Sequence, residues 1–146
     1  MNHILSTKNF FLKCSILSIS IYIFIAFYVL GYGYPHEDAY ILFLYAENLA
    51  DNGTISYYEN GPPAEGATDF LWMVLISMLY KLGLNTFAAS LFLNFLGLIL
   101  ILFCISKVVK ISDSMILTKL STLLLLVYIP LSHISSAAFG GFSTLF

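Results

Sequence analysis

Apolar residues in this chain come in long unbroken runs. Between Lys13 and Glu37 no residue is charged, and the core of that stretch, Cys14 to Gly31, holds 18 residues rich in Ile, Leu, Phe and Tyr. At about 1.5 Å per helical residue this is about 27 Å, close to one bilayer core. Leu82 to Ser106 gives 25 uncharged residues, and a further candidate span of 20 residues runs from Met115 to Ile134, with Lys119 near one end and Pro130 near the other. A fourth run, Phe70 to Tyr80, has 11 residues between Asp69 and Lys81 and is too short to span unless the bilayer thins.

Between the first and fourth runs the pattern changes. Tyr40, Ile41, Leu44, Tyr45, Ala46 and Leu49 recur at three- and four-residue spacing, and Asn52-Gly53 supplies a stop, which predicts a helix over about 38–51. Glu47, Asn48 and Asp51 fall toward its other side, as in a helix lying on a membrane surface. Thr54 to Tyr58 reads as extended, and Asn60-Gly61-Pro62-Pro63 reads as a turn. Thr68 or Asp69 then caps a short helix over about 69–82. Trp72 and Tyr80 flank it as interfacial aromatics would, and a belt anchor is the first reading of Trp72.

Composition places these runs in a membrane. Apolar residues make up 60% and charged residues 10%, against roughly 25% charged in a soluble globule. Six Lys and no Arg against eight acidic residues give a net charge of −2, which excludes nucleic acid as a partner. Cys14 and Cys104 both sit inside apolar runs and define no disulfide framework or metal cluster. A cleaved signal peptide fits poorly, because the first run exceeds the usual length of about 7–15 residues and no Ala-x-Ala site follows.

Lys placement sets the topology. If the 70–80 run stays at the interface, the chain crosses three times, and Lys8, Lys13, Lys107, Lys110 and Lys119 share the cytoplasmic side with only Lys81 opposite. The expected fold class is therefore an all-α membrane protein with about three transmembrane helices and juxtamembrane helices in the first outer loop. In residue terms this is a cytoplasmic N-terminus at 1–13, transmembrane helices at 14–34, 85–106 and 115–134, an outer loop at 35–84, a cytoplasmic loop at 107–114 and an outer segment at 135–146. A multi-pass protein of a bacterial inner membrane is expected.

Seven of the eight acidic residues, Glu37, Asp38, Glu47, Asp51, Glu59, Glu65 and Asp69, lie in that outer loop. A solvated acidic face accounts for the missing Lys, but not for Glu37 and Asp38 directly at the end of the first span. In the first turn of a helix, exposed amides and the helix dipole favour an ionised carboxylate. Such a group can serve as a general base, bind a divalent cation or simply cap the helix. His36 beside them could assist a cation or phosphate, or act as a local hydrogen-bond partner. Asn52-Gly53-Thr54 fits a glycosylation sequon, although Gly53 is equally explained as a helix stop. There is no P-loop, dinucleotide fingerprint or nucleophile elbow.

The stretch Glu37-Asp38-Ala39-Tyr40-Ile41, then Phe43 to Ala50, Asn52-Gly53, and Glu65-Gly66-Ala67-Thr68-Asp69-Phe70-Leu71-Trp72 resembles the first outer loop of polytopic GT-C glycosyltransferases, closest to arabinofuranosyl- and mannosyltransferase-like members. Gly140-Gly141-Phe142-Ser143-Thr144 looks like a degraded form of the Gly-Leu-Glu-Thr segment in the family's next outer loop. The resemblance runs from about residue 14 to the end and covers the N-terminal part of such an enzyme. It implies transfer of a sugar from a polyprenyl-phosphate donor to a glycan, lipid or protein acceptor on the outer face, usually with inversion. Glu37 and Asp38 become candidates for the catalytic base, with the pair undivided between them. Tyr40, Glu65, Thr68 and Trp72 become substrate-binding candidates, with no certain cofactor and a divalent metal in some members. Leu44 stands where the family has Arg, and Ser143 where it has Glu. These departures, with the later helices missing from the match, lead us to expect no activity from this polypeptide by itself, or activity only with a second polypeptide. The rival expectation is a small non-catalytic membrane protein that binds lipid or a partner through its acidic loop.

Overall fold

The computed structural model of the chain describes residues 2–64, 69–111 and Gly141. These residues are all-α, with no strand: α1 (Asn2–Tyr32), α2 (Glu37–Asn52), α3 (Phe70–Lys81) and α4 (Thr86–Ile111). Glu65, Thr68, the expected third span at 115–134 and the 135–146 segment other than Gly141 lie outside the described residues.

Among the described residues, two helices are long and apolar enough to cross a membrane, over Phe10–Tyr32 (23 residues) and Thr86–Lys107 (22 residues). Both helices outrun the stretches read from charge. α1 is helical from Asn2, because nothing before Gly31 breaks it, and it ends at Tyr32 just before Gly33 and Pro35. α4 continues to Ile111 because Lys107, Val108, Val109 and Lys110 carry no break. At its start, the Asn85 side-chain oxygen accepts the Ala88 N–H at 2.6 Å, an N-cap bond.

α1 and α4 pack antiparallel. The Tyr22 hydroxyl donates to the Leu91 carbonyl at 2.8 Å, and its ring lies 5.7 Å from that of Phe95. Tyr22, Leu98 and Leu102 form a small core with Cys14, Ile19 and Ala26 against it. One groove joins Leu30 at the far end of α1 to Ala88 near the start of α4, so Lys13 and Lys107 belong to the same end of the pair. Leu17, Phe24, Phe27 and Tyr28 on α1 are exposed apolar side chains, a surface suited to hydrocarbon rather than water.

A larger core joins α2, α3 and the start of α4: Ala39, Phe43, Ala46, Trp72, Met73, Ile76, Ala89 and Leu93. The α2 stripe differs from the one expected. Of the expected stripe, Tyr45, Ala46 and Leu49 do face the core, joined by Ala39, Leu42 and Phe43, whereas Tyr40, Ile41 and Leu44 are exposed. Residues 39–46 are apolar all round, so spacing alone does not select a face. The small Ala39 and Ala46 side chains allow close approach. Thr54 to Tyr58, expected as extended, forms no strand; the loop is tied by the Ala64 N–H to the Ile55 carbonyl (2.9 Å) and by the Asn48 side-chain amide to the Ser56 carbonyl (2.8 Å). The turn at Asn60-Gly61 closes with the Gly61 N–H on the Tyr58 carbonyl at 2.9 Å.

Candidate functional site

The site grows from the junction of α1 and α2. Gly33 to His36 carry the chain out of α1, and His36 occupies the N-cap position of α2 in extended backbone, without a side-chain capping bond. Glu37 and Asp38 form the acidic first turn that follows, and both are exposed. Among the described residues, no side-chain partner holds either carboxylate. Adjacent helical positions point about 100° apart, so the two cannot address the same substrate hydroxyl equally. Glu37 precedes Tyr40 by three residues, which puts those two on one face with Leu44. Tyr40 is half exposed, its ring edge-on to that of Phe43 at 6.4 Å.

The other acidic residues of α2 behave differently. Glu47 accepts a hydrogen bond from the Thr86 hydroxyl at 3.0 Å, which sets its carboxylate at the N-terminal turn of α4, where the helix dipole favours negative charge. The Asp51 carboxylate lies near the Tyr80 hydroxyl of α3. The Asp51 and then the Glu47 charge, with a smaller contribution from desolvation, raise the Tyr80 pKa above the usual phenol value. These pairings join residues on separate helices, and only the acidic spacing of α2 hints at them in the sequence.

Trp72 is 3% exposed and lies in the α2–α3 core, not at a surface where a belt anchor would sit. Its indole N–H donates to the carbonyl of Gly141 at 3.2 Å. Asp69 occupies the N-cap position of α3 without a capping side-chain bond; its carbonyl accepts the Met73 N–H at 3.0 Å. The structure thus brings Tyr40 and Trp72 into the unit that carries Glu37 and Asp38, while Glu65 and Thr68 fall outside the described residues. Gly141 is a contact that sequence reading missed; the Gly140-Gly141 pair marked the segment but not its seat.

Among the described residues, no three His, Cys, Asp or Glu side chains are grouped so as to hold a metal ion. The exposed pair Glu37 and Asp38 therefore offers carboxylate chemistry without a described third ligand.

Among the described residues, fold and site together define an α-helical unit in which two membrane-length helices are joined by an acidic two-helix unit. No protein-family model matches the chain, and no curated protein or solved structure matches it.

Proposed function

We propose that the chain belongs to a GT-C-type membrane glycosyltransferase, which passes a sugar from a polyprenyl-phosphate donor to an acceptor on the outer face of a bacterial inner membrane. The observation that carries this reading is the exposed pair Glu37 and Asp38 in the first turn of α2, with four residues between it and the end of α1. A lipid-linked donor and its acceptor meet at that depth, and an exposed carboxylate there is placed to act as base. One of the two takes the proton of the acceptor hydroxyl as its oxygen bonds to the anomeric carbon and the polyprenyl phosphate leaves with the bonding electron pair. Leu44, where the resembling enzymes carry Arg, leaves the departing phosphate to be met by other groups. A second polypeptide is one source of them; a divalent metal is another, but no step here is routed through it.

Three crossings fit this reading. Antiparallel packing groups Lys13 with Lys107 at one end, the cytoplasmic end by the positive-inside rule. α4 has 26 residues and so rises about 39 Å away from the α2–α3 unit. Gly141 lies back against Ala39, Phe43 and Trp72. The third crossing of this reading is the apolar run Met115 to Ile134, with Lys119 near its cytoplasmic end.

The test is sugar transfer in membranes of the native host, comparing the native chain with the Glu37→Gln/Asp38→Asn double variant at matched expression. A loss of about a hundredfold, the usual scale of a general base, is expected. Unchanged transfer would sink the enzyme reading and leave a lipid- or partner-binding loop.

A further inference from the structure

The contact at Gly141 is selective for glycine in two independent ways. Its φ of +100° lies where L side chains are strained. A Cβ there would also meet Cζ of Phe43 at 2.6 Å and Cβ of Ala39 at 3.3 Å, inside a wall whose two residues are almost wholly buried. A hydrogen bond also fixes the backbone, the buried Trp72 N–H donated to the Gly141 carbonyl across 69 residues of sequence. Ala39 and Phe43 are one turn apart on α2, and Ala39 directly follows Asp38.

The geometry points to a docking site on the α2–α3 unit whose occupant is this chain's own Gly141, with Trp72 and Gly141 acting as positioning residues for the Glu37–Asp38 turn. Gly141 seals the side of α2 opposite its exposed face. The first turn of α2 is then held between α3 and a backbone returning from far along the chain. A belt anchor or a sugar-stacking platform needs an exposed indole; here the ring is buried and its N–H is engaged. The docking stands on geometry alone, whereas the positioning of a catalytic turn rests on the glycosyltransferase reading.

Trp72 is the only Trp in the 146 residues, so intrinsic fluorescence of the full chain in lipid nanodiscs reports this site alone. Short-wavelength emission is expected, with little quenching by acrylamide or by nanodisc lipids brominated along their acyl chains. In Gly141→Ala the emission should move to the red and acrylamide quenching should rise at least twofold with helix content unchanged. Adding Phe43→Leu, which removes Cζ, should recover part of the shift. Emission and quenching in Gly141→Ala identical to the native chain would overturn the docking. Strong quenching of the native chain by brominated lipid would overturn it as well, and that measurement decides the matter should Gly141→Ala fail to fold. In host membranes, an undocked but helical Gly141→Ala should lower kcat about tenfold with the donor KM within twofold. Full transfer by an undocked chain would overturn the positioning role alone, since Glu37→Gln/Asp38→Asn tests the enzyme reading separately.

Discussion

At the N-terminal end of α2, Glu37 and Asp38 are exposed, and no described side chain binds them; at its C-terminal end, Glu47 accepts from Thr86 on α4 and Asp51 lies near the Tyr80 hydroxyl on α3. One helix thus carries two acidic pairs in two different conditions. The C-terminal pair is engaged in joining three helices, and its charges meet donors or a helix N-terminus. The N-terminal pair is near a helix N-terminus too, but its oxygens remain available to something outside the described residues. Acidic character alone does not mark a site; the difference lies in whether the fold already uses the carboxylate.

The sharpest way to break this comparison is to neutralise each pair and measure transfer and stability together. For Glu37→Gln/Asp38→Asn, a hundredfold loss of transfer corresponds to about 2.7 kcal/mol in the barrier. Thermal stability, followed by Trp72 fluorescence, should change by at most about 1 kcal/mol, the scale of a helix-dipole contribution at an exposed position. For Thr86→Val the order reverses. Thr86 is buried and supplies a hydrogen bond to a partly buried carboxylate, so stability should fall by about 1–2 kcal/mol while transfer by the folded protein stays within about twofold. Equal losses of transfer in the two variants would erase the distinction between the ends of α2.

How the chain is divided into helices was legible because the breaks are local. Gly33 and Pro35 end α1, Asn52-Gly53 ends α2, and Gly83 to Asn85 separate α3 from α4. The exposure of Glu37 and Asp38 was legible as well, as two acids at a helix start beside a span. The buried face of α2 was not, since an apolar stretch with no polar side between Ala39 and Ala46 has no period to read. The Glu47–Thr86 and Trp72–Gly141 bonds and the approach of Asp51 to Tyr80 were hidden for another reason. Each joins residues that approach only after the helices pack, and no spacing along a single helix encodes them. Trp72 shows the consequence: its place beside a short apolar helix suggested a surface anchor, but a partner 69 residues away draws it into the core.

A smaller effect tests how firmly the C-terminal end is set. Gly53 closes α2 in the left-handed region at φ 69°, its N–H bonded to the Leu49 carbonyl at 3.1 Å, and open space surrounds the position of a Cβ. Gly53→Ala therefore adds backbone strain without a clash, and about 1 kcal/mol of destabilisation is expected. A thermal shift indistinguishable from zero would mean that the end of α2 relaxes easily and that Asp51 is less fixed beside Tyr80 than the structure has it.

The smallest effect is a pH dependence at that same end. Asp51 foremost, then Glu47, raise the Tyr80 pKa by disfavouring its phenolate. A group whose folded pKa is raised contributes stability that is fully present below its unfolded value and is lost as pH rises through the folded one. The stability difference between the native chain and Tyr80→Phe should therefore be constant at neutral pH. It should begin to shrink only above the ordinary tyrosine value of about 10 and should be gone beyond the raised one. Because the hydroxyl is open to solvent, the difference should be small and should fall further at high salt. Asp51→Asn should bring the Tyr80 titration closer to normal than Glu47→Gln does, since Asp51 is the larger of the two influences. The reverse ranking would mean that Glu47, despite its bond to Thr86, is the carboxylate that governs this end of the helix.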